Sequence, residues 1–566
     1  MEELIPTDFV INKYLFDKLY ISRIEDDYYT QNLYPIVYIL YDLNTSIAYV
    51  GESTNALSRM QNHLSHPEKS KLKYVYIISS KIFNKSATLD IESNLIKYMV
   101  ADETFILLNG NAGIADHNYF QKDKYFQVFE NIWENLKLEK VVTKNILDID
   151  NSDLFKYSPY KSLTQDQHQV IRQYLKILLN KNASTVFVEG SAGTGKTVLA
   201  VYLIKLLLTK FDLDDYEDLE GETLQELELV QKIQSKKELV IGLVVPMVSL
   251  RKTIKEVFKN VKGLKANMVI GASEVLKKDY DVLIVDEAHR LRRRFGITNY
   301  RSHDNNNRAL GLGHEGTELD WILKSSKHQL LFYDQAQSVR PSDVDKNYFL
   351  KLKSLQNTEV IRLTSQLRSK GGVDYIEFVD DLLNTRHSKL EGKGKFESEQ
   401  YDLKMFDYLP DMINELKIKE KEYGLCRMMA GYSWKWVSKD SDIPDAVIDG
   451  VELTWNRVPH DWINSTDDLN EIGCIHTTQG YDLNYAGVIF GKEIKYDKDS
   501  GEIIIDKAEY YDSKGMVGIS DVEVLKDYIV NIYKTLMYRG IKGVYLYISD
   551  PDLKEYFKDY ILSYNN

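Results

Sequence analysis

Residues 189–208 read EGSAGTGKTVLAVYLIKLLL. Gly190, Gly193, Gly195, Lys196 and Thr197 take a Gly-x-x-x-x-Gly-Lys-Thr spacing, with Thr194 inside the loop, after an apolar run and at the head of a helical one. There, glycines let backbone N–H groups wrap phosphate oxygens at a helix N-terminus. Lys196 is expected to reach the β- and γ-phosphates of ATP, and the Thr197 hydroxyl to ligate Mg²⁺. In DVLIVDEAHR, four apolar residues precede Asp286 and Glu287. This puts both carboxylates at the C-terminal tip of a buried strand, where open α/β sheets bind ligands. Asp286 is expected to hold Mg²⁺ through water and Glu287 to activate the attacking water.

A second set of reactive side chains lies nearer the start, in VYILYDLNTSIAYVGESTNALSRMQNHL (37–64). Two short apolar strands each carry a tyrosine, Tyr38 and Tyr49. Arg59 and His63 follow four residues apart, which puts them on one face of a helix. Further on, Glu92 adjoins the apolar stripe Leu89, Leu95, Ile96 and Met99, and a carboxylate beside an inward stripe calls for a metal or a cation. Two phenols, a guanidinium, an imidazole and a carboxylate are the groups with which a phosphodiester could be cut. Taken singly, each is also a packing tyrosine or a solvent-facing polar residue.

Both sets need scaffolds. The chain has 566 residues, which at roughly 100 to 200 residues per domain suggests three or four units. Forty-three per cent of residues are apolar and 28% charged, the balance of a globular chain, with no run of about 18 apolar residues and no leader pattern. A cytoplasmic location without membrane contact is expected. Cys426 and Cys474 sit in apolar runs and cannot make a zinc site by themselves. The net charge of −13 argues mildly against non-specific polyanion binding, which needs local positive charge. Much of the acid is local, in residues 211–228. Against it stand Arg290, Arg292, Arg293, Arg294 and Arg301, either a solvated loop or a strand-contacting one. Trp434, Trp436, Trp455 and Arg457 are close in sequence and read as core or as base-stacking platforms.

From Tyr34 to about Asn118 the order is strand, strand, helix, strand, helix, strand, with KYVYIISS (73–80) the third strand. Residues 119–160 read as a connector. After residue 180, eight short β-branched runs alternate with helices: STVFVEG, LVIGLVVP, DVLIVDEA, QLLFYD, EVIRL, CRMMAGY, AGVIFG and GVYLYIS. That alternation predicts two α/β domains with parallel sheets, divided near residues 341–358.

The motifs downstream of residue 160 resemble those of superfamily 1 helicases, and most closely the Schlafen-like DNA/RNA helicase domain family. The resemblance implies an adenine-reading role for Gln167 in LTQDQ and a strand grip by VVPMVSLRKTIKEVF (244–258). It makes YDQAQ, with Asp334 and Gln337, a γ-phosphate sensor. Arg368 in LTSQLR and Arg539 in LMYRG match the two arginines that reach the γ-phosphate from the second domain. HTTQGYD supplies Gln479 and Gly480 to the motif coupling nucleotide to nucleic acid, with Asp482 where glutamate is usual. Residues 34–118 resemble the GIY-YIG nuclease family. Ile36-Val37-Tyr38 and Tyr49-Val50-Gly51 match its paired strands, with Ile36 replacing the usual glycine. Arg59, His63, Glu92 and Asn109 (or Asn111) match its later positions.

The second resemblance implies that Glu92 holds Mg²⁺ or Mn²⁺ at the scissile phosphate and that Arg59 stabilises charge in the transition state. Tyr38 is the general base, with Tyr49 and His63 orienting water and sharing the proton. The expected layout is an extension (1–33), a small α+β GIY-YIG domain (34–118), a connector (119–160) and two RecA-like α/β domains (161–345 and 346–566). The expected activity is an ATP-dependent translocase or helicase joined to a metal-dependent endonuclease, as in antiphage or foreign-DNA defence. Two alternatives stand beside it: a nuclease gated by an ATPase switch, and a nucleic-acid sensor with an inactive nuclease fold. The expected partner is nucleic acid, DNA ahead of RNA, with an oligomer or a defence-system protein left open.

Overall fold

The two apolar runs carrying Tyr38 and Tyr49 form a hairpin. In the computed structural model, which describes residues 7–109, 119–161, 163–210, 222–338, 340–366, 368–458, 462–478, 481–513 and 515–564, five strands make the first sheet. They are β1 (Val10–Leu15), β2 (Ile36–Asp42), β3 (Ile47–Ser53), β4 (Tyr74–Ser79) and β5 (Ile106–Leu107), in the order β1-β4-β2-β3-β5. β2 and β3 pair antiparallel with Tyr38 opposite Gly51. One side of the hairpin (Ile36, Tyr38, Leu40, Tyr49) packs with Met60 of the helix Ala56–Ser65 and with Val75 and Ile77 of β4.

The first 33 residues do not stand apart as an extension. β1 pairs antiparallel along the whole of β4 and closes that edge of the sheet. The expected connector also belongs to this part of the fold. Its helix Lys122–Leu138 lays Phe129 and Trp133 against Tyr98 of the helix Lys85–Asp102, with ring centroids 4.9 and 5.8 Å apart. Asp102 Oδ1 accepts from the Thr143 and Lys144 backbone N–H groups at 2.9 and 2.6 Å. Two compact bodies result: Met1–Leu179 with Thr197–Leu239 and Thr253–Met268, and Asn180–Lys196 with Val240–Lys252 and Val269–Asn566.

The second body holds two mainly parallel sheets. In one, β6 (Ser184–Glu189), β7 (Ile241–Val244), β8 (Val269–Ile270), β9 (Tyr280–Val285), β10 (Ser326–Tyr333) and β11 (Thr358–Arg362) lie in the order β11-β6-β10-β9-β7-β8. β6, β7 and β9 are buried almost throughout, as strands of a parallel sheet covered on both faces must be. β11 pairs with β6 from Thr358 to Arg362. The boundary expected near 341–358, which put EVIRL in the later domain, therefore moves past Arg362: that strand ends the first sheet.

The other sheet contains β12 (Asp402–Phe406), β13 (Cys426–Ala430), β14 (Ala446–Ile448), β15 (Val451–Trp455), β16 (Glu471–Gly473), β17 (Leu483–Phe490), β20 (Gly540–Ile548) and β21 (Leu562–Ser563). Their order is β14-β15-β16-β13-β17-β20-β12-β21, and only β14 and β15 pair antiparallel. A separate hairpin joins β18 (Ile494–Asp497) to β19 (Glu502–Ile505). All eight strands expected after residue 180 form. Both cysteines are free and buried. Among the described residues no helix is long and apolar enough to cross a membrane.

Candidate phosphate and phosphodiester sites

The glycine-rich loop leaves β6 and enters the helix Lys196–Leu208, whose second residue is Thr197. Gly193 has φ +85°, and a Cβ there would lie 2.1 Å from Gln366 Oε1 and 2.8 Å from Arg368 Cβ. Only glycine satisfies both demands. Lys196 Nζ donates to the carbonyl oxygens of Gly190 (2.7 Å) and Ser191 (2.8 Å) and stands 4.0 Å from Asp334 Oδ2. Thr194, wholly buried, donates to Ser191 O at 3.1 Å. Asp334 also accepts from Gln337 Nε2 at 2.6 Å, so the expected sensor pair is assembled beside the loop lysine. A cleft of about 330 Å³ opens here, between Gly190, Ser191, Asp334 and Arg362.

Asp286 and Glu287 follow the last residue of β9, and Asp286 is fully buried. Glu287 has φ +52°, a left-handed backbone that costs a side-chain-bearing residue about 1–3 kcal/mol. Its Oε2 lies 2.9 Å from His289 Nε2, while His289 Nδ1 accepts from the Asp334 backbone N–H at 3.2 Å. That acceptor role leaves the ring proton on Nε2, facing Glu287. Burial alone would raise the Glu287 carboxyl, but His289, then Lys196 and Arg539, outweigh it and hold it below the usual carboxylate range. His289 is a site residue that the sequence reading passed over; its position two residues after Glu287 was the available signal.

The two expected γ-phosphate arginines are placed differently. Arg539 is buried just ahead of β20, donates to Tyr481 O at 3.3 Å and is near enough to lower the Glu287 pKa. Arg368 lies on the phosphate loop, its N–H donating to Gly193 O at 3.1 Å, but its guanidinium faces Asp482, Nε to Oδ1 2.5 Å. Gln366 Nε2 donates to Ala192 O at 2.7 Å. Gln167 is buried in the first turn of the helix Gln165–Asn180, where its Oε1 accepts from Thr164 N–H at 3.0 Å. Gln479, Gly480 and Asn111 lie outside the described residues.

The arginine cluster is mostly tied to its own chain. Arg290 is buried against Asp343 (2.9 Å), Arg293 donates to Pro341 O (2.9 Å), and Arg294 forks onto Asp304 (2.5 and 2.9 Å). Of the five, Arg292 and Arg301 are exposed. Trp455 is core with Trp434 packed beside it at 6.2 Å, and Trp436 is exposed.

In the first sheet, Tyr38 OH and His63 Nε2 are 2.8 Å apart, and the Tyr49 ring meets the His63 ring edge-on at 5.1 Å. Tyr38 and His63 are buried. A Cβ on Gly51 would lie 2.2 Å from the Tyr38 oxygen, so the bare backbone opposite Tyr38 makes room for the phenol. Burial raises the Tyr38 pKa, with Arg59 pulling it down through its charge and a hydrogen bond and Glu92 pushing it up. The phenol is thus shifted upward, against what a general base needs. Burial first, then Lys69 and Arg59, push His63 down to about 2, so the ring is neutral. Asn109 holds β3: its Nδ2 donates to Val50 O at 2.8 Å and its Oδ1 accepts from Val50 N–H at 3.1 Å. Its side chain supports the strand carrying Tyr49 and touches none of the reactive groups by these bonds. Among the described residues no three His, Cys, Asp or Glu side chains gather as a metal cage. Mg²⁺, which keeps several of its waters, does not require one.

A parallel sheet with a glycine-rich phosphate loop at one strand end and the acidic pair Asp286 and Glu287 at another defines a P-loop ATPase domain. Residues 183–550 match the Schlafen group 3 DNA/RNA helicase domain, and the chain belongs to that family. It carries an ATP-dependent helicase or translocase domain. A Saccharomyces cerevisiae protein described as uncharacterized, YPL245W, is 27% identical over 408 residues, covering 66% of this chain and 84% of its own length. Among solved structures, Bacteroides Pif1 bound to ssDNA is 12% identical over 68% of this chain and 92% of its own. A DEAD box protein from Methanococcus jannaschii is 11% identical over 75% and 98%. Both have a TM-score of 0.25, too low to transfer a mode of binding.

Proposed function

We propose that this ATP-driven motor serves a metal-dependent endonuclease of the GIY-YIG kind built on the first sheet, and that the pair acts on foreign DNA. The reading is carried by one observation: a buried Tyr38–His63 contact of 2.8 Å, with Arg59 bonded to the same phenol, on a hairpin whose glycine admits that ring. In this scheme Arg59 stabilises the extra negative charge of the transition state. Tyr38 draws the proton from the attacking water, with His63 and Tyr49 orienting that water and sharing the proton. Both partners rest neutral, so the phenol takes the proton of water only as it passes its own to His63 Nε2 at 2.8 Å, and a divalent ion would favour that transfer by lowering the phenol pKa. Glu92 would hold that ion, whose chemistry is to neutralise the scissile phosphate and the leaving oxygen.

At the ATP site the reading assigns Lys196, Thr197 and Asp286 to nucleotide and Mg²⁺, Glu287 to the attacking water, Gln167 to the base and Gln337 to the γ-phosphate. Arg539 and Arg368 neutralise the transferring phosphoryl group, Arg368 after leaving Asp482. Gln479 and Gly480 complete the link to nucleic acid.

The test is a cleavage assay across single- and double-stranded DNA and RNA, with Mg²⁺ or Mn²⁺, with and without ATP. Glu92→Ala should abolish cutting and leave ATP hydrolysis intact, while Lys196→Ala should abolish hydrolysis and slow cutting. Full-rate cutting by Lys196→Ala without ATP would break the coupling. ATP-dependent cutting without strand displacement would reduce the motor to a gate.

A further inference from the structure

Two consecutive residues, Tyr481 and Asp482, hold both arginines assigned above to the γ-phosphate. Arg539 Nη1 donates to Tyr481 O at 3.3 Å, and Arg368 faces Asp482 with Nε 2.5 Å from Oδ1. We propose that Asp482 is a positioning residue that restrains Arg368: it keeps the guanidinium off the transferring phosphoryl group until nucleic acid binds, and so ties ATP hydrolysis to nucleic acid. The inference deepens the ATP-site reading and rests on its assignment of Arg368.

The backbone of Arg368 is already fixed at the phosphate loop. Its N–H donates to Gly193 O at 3.1 Å and to Gln366 Oε1 at 3.0 Å, and Gln366 Nε2 donates to Ala192 O at 2.7 Å. Its Cβ lies 2.8 Å from where a Cβ on Gly193 would stand. With the main chain anchored there, the direction of one side chain decides which anion the guanidinium meets. Asp482 is the anion it faces.

A guanidinium beside a carboxylate presents a dipole rather than a full positive charge, and does little for charge developing elsewhere. An arginine at the transferring phosphoryl group is worth on the order of 10³ to 10⁵ in rate, so a competing carboxylate acts as a brake. The brake is releasable: the two side chains are 19% and 22% exposed, so water screens the pair and little binding energy is needed to part it. Its placement joins it to the rest of the site. Asp482 closes HTTQGYD, the stretch with the expected link to nucleic acid, and leads into β17, where Leu483 N–H donates to Arg539 O at 3.0 Å. A shift of this strand entry therefore reaches both arginines at once.

Steady-state ATP hydrolysis by the full chain, with and without oligothymidylate or oligouridylate, tests this. Asp482→Asn should raise kcat without nucleic acid about two- to fivefold, the yield of releasing one solvent-screened ion pair. KM for ATP and the stimulated rate should be kept, so the stimulation ratio falls by the same factor. Asp482→Ser should behave alike, and Asp482→Glu should restore the low basal rate. Arg368→Ala checks the underlying reading: it should lose about 10³-fold in both conditions and be indifferent to a second change, Asp482→Asn. If Arg368→Ala keeps the native stimulated rate, the assignment of Arg368 fails and the restraint fails with it. If Arg368→Ala is inactive but Asp482→Asn and Asp482→Ser leave the basal rate unchanged or lower it, the restraint alone is overturned. A native chain that neither oligonucleotide stimulates also overturns it, because there is then no release.

Discussion

His289 touches Glu287 at one ring nitrogen and the Asp334 backbone at the other, so a change at this ring is felt at both sides of the expected γ-phosphate position. It acts through Glu287 as a positioning residue. His289→Ala is expected to lower kcat for ATP hydrolysis about 10- to 100-fold, the usual cost of removing such support, with KM for ATP nearly unchanged in steady-state assays. Arg539→Ala, which removes charge from the same locality, should lower kcat by about 10³-fold. His63 gives a pH prediction. Its folded pKa is depressed to about 2 from 6.5, so the unfolded chain binds more protons once pH falls below 6.5. Stability from this group is therefore present above pH 6.5 and is lost progressively as pH falls toward 2. At pH 5.5 the loss is about 1.4 kcal/mol, and His63→Gln should remove about that much of the stability lost between pH 7.5 and 5.5, seen as a shallower fall of Tm.

Elements were legible where their apolar runs were long enough to show a period. The eight expected strands after residue 180 lie in runs of five to eight residues with at least three apolar side chains each, whereas β8 has two residues and β14 and β16 have three, too short to reveal alternation. β1 was missed because its edge position leaves it exposed or half-buried, so VINKYL carries no buried face. The boundary error at β11 has a related cause: a half-buried edge strand looks alike in either domain, and pairing with β6 is invisible locally. Residue types suggested candidates for both sites, but not His289, the direction of the Tyr38 shift or the Arg368–Asp482 contact, which depend on burial and on distant chain. Two glycines test the elements. Gly51→Ala should displace the Tyr38 ring and remove cutting while ATP hydrolysis persists. Gly193→Ala should remove ATP hydrolysis and slow cutting, as Lys196→Ala does, because its Cβ has no room between Gln366 and Arg368.

For the whole molecule, the domains are less separable than a linear reading implied. Lys262 pairs with Glu68 at 2.7 Å, Asn260 donates to Glu103 at 3.2 Å and Thr253 to Asp153 at 3.4 Å, so segments from inside the helicase region complete the body that begins at residue 1. A fragment starting at residue 161 should accordingly melt lower than the same region in the full chain and expose apolar surface, measurable by dye binding during a thermal ramp. The strand order of the first parallel sheet has a consequence for how the chain is made. β6 lies between β10 and β11, so both of its neighbours are synthesised long after it. At about 5–20 residues per second, the interval from Glu189 to Arg362 takes roughly 10 to 35 s. Until β10 is complete at Tyr333 neither edge of this strand can be covered, and the second stays open until β11 is made. The strand that precedes the phosphate loop is therefore a part of the nascent chain that a chaperone would have reason to hold.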